Sequence, residues 1–93
     1  MFLRTLRVEY AHEGEPPRPC PLAWIDNFAM RNFTNSAIFD DTLPAGDGAM
    51  EVGLRVPLDA LAQAMEDWFR RKGYLHEGDR LILREEPRPA RIE

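Results

Sequence analysis

The sequence predicts an α+β two-layer sandwich: about four mainly antiparallel strands, with one main helix packed on one face of the sheet. Three observations carry this. Residues 58–72 have the periodicity of an amphipathic helix, residues 50–56 alternate as a half-buried strand does, and the elements follow the order strand, short helix, strand, strand, helix, strand.

The helix is the clearest element. Leu58, Leu61, Ala62, Met65, Trp68 and Phe69 recur at i, i+3, i+4 and i+7, which places them on one side of a helix over three turns. Gln63, Glu66, Asp67, Arg70 and Arg71 take the other side, and Glu66–Arg70 and Asp67–Arg71 have the favourable i,i+4 order. Asp59 in the first turn and Arg70, Arg71 and Lys72 in the last complement the helix dipole. Pro57 precedes the helix and Gly73 supplies its stop. Such a stripe needs a sheet to cover it.

Residues 2–10 alternate, with Phe2, Leu6, Val8 and Tyr10 on one face and Arg4 as the exception. Residues 11–21 contain prolines 16, 17, 19 and 21, which fix φ and remove donors, so an extended surface connector is predicted there. A Pro-rich ligand for an aromatic groove is the alternative, but the run Pro16-Pro17-Arg18-Pro19 is short. Trp24, Ile25, Phe28 and Ala29 fit one face of a short helix near 21–31. Residues 36–40 read as a strand, and 41–48, DTLPAGDG, as turn chemistry. Together with 50–56 this predicts a hairpin with a long loop. Residues 80–85 form the last strand. One domain over 1–86 is expected, followed by a flexible tail at 87–93.

Composition narrows the class. A net charge of −4 weighs against a generic nucleic-acid binder, and the single Cys20 leaves no intrachain disulfide. No apolar run approaches membrane-helix length, and the N-terminal run carries Arg4 and Arg7 without a small-residue cleavage site. A cytoplasmic location is therefore expected. His12-Glu13, His76-Glu77 and Cys20 lack zinc-site spacing, and the acidic residues Asp40, Asp41 and Asp47 lack the order of a calcium loop. No P-loop, GxGxxG or GxSxG motif occurs, and no histidine lies near Cys20 in sequence. No cofactor, metal or catalytic residue is expected.

Two surfaces stand out. Trp24, Phe28, Arg31, Asn32, Phe33 and Asn35 combine aromatics with Arg and Asn, as interface anchors do, though a small core also needs such aromatics and is the favoured reading for Trp24, Phe28 and Phe39. Alternation also places Arg7, Arg55, Arg80 and Arg84 opposite the core face, diluted by Glu9 and Glu51. With Arg70, Arg71 and Lys72 at the helix end they could bind anions or nucleic acid; a solvated face with Arg–Glu pairs is the plainer reading. The expectation is a non-enzymatic protein-binding module: an inhibitor, immunity factor, adaptor or small subunit. Its partner would be another protein, met at residues 24–39 or at an exposed sheet edge. The first strand is the expected edge, which could also pair in a homodimer. The alternative is a nucleic-acid-binding regulator using the arginines.

Overall fold

The computed structural model describes residues 4–31 and 39–86. Seven elements follow in order: β1 (Arg4–His12), β2 (Arg18–Pro19), α1 (Leu22–Arg31), β3 (Phe39–Pro44), β4 (Ala49–Leu54), α2 (Leu58–Arg71) and β5 (Asp79–Glu85). The fold is α+β, with four antiparallel strands and two helices; the two-residue β2 adds a short fifth pairing.

β1 is the central strand. One edge pairs with β5 along seven residues, from Leu6↔Glu85 to His12↔Asp79. The other edge is shared: β4 takes its first half, from Arg4↔Val52 to Arg7↔Ala49, and β2 takes Glu9 and Tyr10. β3 pairs with β4 and closes the far side. Both edges of the first strand are thus occupied, which corrects the expectation that it offers a free edge. β4 and β5 are each antiparallel to β1 and so run parallel to one another, and α2 is the crossover that such a connection needs.

The core lies between one sheet face and the two helices. Leu6, Val8, Met50 and Val52 from the sheet meet Ile25 and Phe28 from α1 and Leu61, Met65 and Phe69 from α2, all essentially without exposure. Leu54, Leu58, Trp68, Leu81 and Leu83 pack around them half-buried. At roughly 1.5–3 kcal/mol for each large side chain removed from water, this cluster is the main source of stability. α2 ends as its sequence predicts. Gly73 has φ +79°, Tyr74 N–H donates to Phe69 C=O at 2.9 Å, and Gly73 N–H donates to Arg70 C=O at 3.1 Å. This is a Schellman stop, and its usual apolar contact is the Phe69–Tyr74 ring pair at 5.8 Å.

The boundaries of β1 and β3 differ from expectation. β1 runs on to His12, because residues 79–85 supply a partner that far. β3 occupies 39–44, so it shares 39–40 with the strand expected at 36–40 and runs on through 41–44, where turn chemistry is expected; the hairpin loop is therefore short, with Pro44 already paired in register with Met50. Proline is tolerated there because its missing N–H faces away from β4: Ala45 N–H, one residue on, donates to Ala49 C=O at 3.0 Å. Residues 36–38 of the strand expected at 36–40, and the tail expected at 87–93, lie outside the described residues.

The proline connector is more than a surface strap. Val8 N–H donates to Gly48 C=O (2.9 Å), Cys20 N–H to Val8 C=O (2.9 Å), and Gly48 N–H to Cys20 C=O (2.7 Å). Three distant segments therefore meet in one ring of backbone bonds beneath the hairpin turn. Gly48 has φ +70°, and a Cβ there would lie 2.6 Å from Pro19 Cβ. Only glycine suits this position.

Candidate protein-binding surface

α1 is placed by the hairpin. Pro21 precedes it, and the N–H of Leu22 donates to Asp47 Oδ1 at 2.7 Å, so a turn residue 25 positions away caps the helix. Ile25, Phe28 and Ala29 face the core. Away from the core, Met30 is 71 % exposed, and Leu22, at the start of the helix, is 42 % exposed. A depression flanks Met30 on each side. One, of about 290 Å³, runs toward the hairpin between Asp26, Ala29, Met30, Thr42 and Pro44. The other, of about 480 Å³, lies between Asn27, Met30, Arg31 and Tyr74. The helix thus forms an exposed ridge with a flexible, polarizable thioether at its crest.

The aromatic residues nearby serve the core rather than the ridge. Trp24 is half-buried, stacked on Tyr74 (centroids 4.9 Å, planes 5° apart) and against Tyr10 (4.9 Å) and Phe69 (5.7 Å). Phe28 is 1 % exposed. Phe28 is buried and Trp24 is partly buried against the same cluster, in line with the reading of these two aromatics as filling of a small core. Arg31 remains on the ridge as its exposed last residue. Asn32, Phe33 and Asn35 lie outside the described residues. The spacing that turns Ile25, Phe28 and Ala29 inward turns Met30 outward, but a single methionine carries no motif that singles it out in the sequence.

The basic residues do not make one surface. Arg7 and Arg84 stand opposite each other on the face away from the helices, and Arg80 lies two residues along from Ile82 on the same face. Arg84 is held by Glu9 at 2.5 Å. Arg55 lies beyond the end of β4, not on the sheet face where alternation put it. Arg70, Arg71 and Lys72 are on the helix side of the sheet. Arg70 donates to His76 C=O (3.0 Å) and Asp79 C=O (2.5 Å), while Arg71 and Lys72 lie over the Trp68 ring at 5.4 and 4.9 Å. The predicted patch of helix end and strand arginines is split by the sheet itself.

The titratable groups are structural in their surroundings. His12 Nδ1 bonds to Asp79 Oδ1 across the end of the β1–β5 ladder. Asp79 is buried, also accepts the His76 N–H (2.8 Å), and its carboxyl is held below the ordinary value first by that bond and then by His12. The same contact, first as a hydrogen bond and then through charge, raises the His12 pKa. No sequence motif announces this pair; it follows from register. Burial, with Glu9 adding to it, pushes the Cys20 thiol up to about 12, so little thiolate is present at neutral pH. Among the described residues no three His, Cys, Asp or Glu side chains are placed to hold a metal ion, and no helix is long and apolar enough to cross a membrane.

Comparison with protein-family models, curated proteins and solved structures finds no match for this chain.

Proposed function

We propose that the protein is a non-enzymatic binding module that meets another protein through the outer ridge of α1. An inhibitor, immunity factor, adaptor or small subunit of an assembly would all use such a surface. The observation that carries the reading is Met30, 71 % exposed on a helix whose other apolar residues are mostly inside, with a depression on each flank to receive a partner's side chains. Leu22 extends the apolar area and Asp26 and Arg31 supply a polar rim, the usual distribution at a protein interface. A cytoplasmic setting suits the lone, buried Cys20.

The test is capture of partners from the native host with the full chain and with Met30→Glu. Met30 is exposed, so the variant is expected to keep the circular-dichroism spectrum of the parent chain. Loss of a captured protein in the variant supports the reading; identical capture by both chains contradicts it.

A further inference from the structure

We propose that the outer edge of β5 is a homodimer seam, in which two copies pair antiparallel about a two-fold axis at Leu83. In β1, Val8 spends both its N–H and C=O on Gly48 and Cys20, so its even-numbered neighbours face β4 and β2, and its odd-numbered residues face β5. In the observed register Arg80, Ile82 and Arg84 therefore bond to β1, and Glu86 N–H continues the ladder to Thr5 C=O at 2.9 Å. Asp79, Leu81, Leu83 and Glu85 point their backbone groups outward.

The first part of that edge is already closed within the chain. Asp79 N–H donates to His76 C=O, Asp79 C=O accepts from Arg70, and Leu81 N–H donates to Glu66 Oε1 at 3.1 Å. Beyond this point, the Leu81 C=O, both groups of Leu83 and the Glu85 N–H meet no partner among the described residues. A second β5 centred on Leu83 matches these groups one for one. Leu83 exchanges two bonds with Leu83 of the second copy, and each Leu81 C=O accepts from a Glu85 N–H.

Charge selects this register over its neighbours. On the face away from the helices it sets Ile82 opposite Arg84 and Arg80 opposite Glu86. Arg80 and Glu86 are exposed and have no side-chain partner among the described residues, so each completes the other. The charges that meet apolar neighbours across the seam are already neutralised in the chain, Arg84 by Glu9 and Glu85 by Arg4. Moving the axis to residue 82 sets Arg80 against Arg84, and moving it to 84 sets Arg84 against itself. Like charges directly opposite on a sheet are unfavourable. The other outer strand, β3, has no equivalent opening, because Pro44 takes an outward-facing position and cannot donate.

Sedimentation equilibrium of the full chain, from roughly ten micromolar to roughly one millimolar, tests the seam; so small an interface calls for that range. The expected result is a mass rising from 10.7 kDa toward twice that value. Arg80→Glu weakens dimerisation roughly tenfold, and the double variant Arg80→Glu/Glu86→Arg restores it. Leu83→Pro removes the outward donor without removing a bond to β1, and abolishes the dimer. Met30→Glu leaves it unchanged, which separates this surface from α1. A monomer at every concentration, or a dimer indifferent to Arg80→Glu, overturns the proposal.

Discussion

Helices α1 and α2 are secured in different ways. α2 is fixed by burial: Leu61, Met65 and Phe69 are fully inside, its stop is local, and no side chain caps its first turn. α1 buries Ile25, Phe28 and Ala29 but takes its cap from Asp47 in the β3–β4 turn, and it carries Met30 outward. A helix anchored mainly by its own stripe has little apolar side chain to spare. A helix positioned from outside can present some to solvent. That difference is why α1 is the candidate docking element and α2 is the frame.

The largest expected effect comes from breaking what the helices share. Phe69 touches Trp24, Phe28 and Tyr74, so Phe69→Ala should cost about 3–5 kcal/mol in urea unfolding and loosen both helices together. Gly48→Ala is next, at about 2–4 kcal/mol, since it combines a positive φ with a Cβ driven into Pro19. Its damage should reach β2, the hairpin turn and α1 before α2, which amide hydrogen exchange would resolve. Asp47→Ala should cost about 1 kcal/mol and raise exchange in the first turn of α1 alone. If α2 frays equally in that variant, the contrast between the helices fails.

A smaller effect sharpens the other end of the frame. The His12–Asp79 pair ties the α2–β5 connector to β1. His12 has a raised pKa when folded, so its contribution is full below the ordinary value of 6.5 and is lost as pH rises through the raised one. Asp79 has a lowered pKa, so its contribution is full above 3.8 and is lost as pH falls through the lowered one. The pair therefore contributes most between those two ordinary values. In Asp79→Asn the His12 ring should titrate at a lower pH by NMR. The stability gap to the parent protein should narrow as pH rises past neutrality.

Legibility followed the range of the interactions. The α+β class, the span of α2 to within one residue, and the core faces of β1, β4 and β5 were readable because hydrophobic period and caps are local. α1 was found by the spacing of Ile25, Phe28 and Ala29, with bounds within a residue. Long-range features were not readable. The central place of β1, the cap from Asp47, the Val8–Cys20–Gly48 ring and the His12–Asp79 pair all depend on registers between segments far apart in sequence. The same holds at the surface. Trp24 and Phe28 carry the composition of an interface but fill the core. Met30, unremarked in sequence, is on the outside because Ala29 and Phe28 set the helix's rotation.

On the proposed function, α1's ridge, and not the polar face of α2, meets another protein. A photo-crosslinking residue placed at position 30, and separately at the exposed Gln63 of α2, tests it most directly in the native host. Exposed substitutions of this kind cost at most about 0.5 kcal/mol, so both chains stay folded. The account predicts a discrete crosslinked species from position 30 and none from position 63. Equal labelling at both positions, or none at position 30, would contradict it.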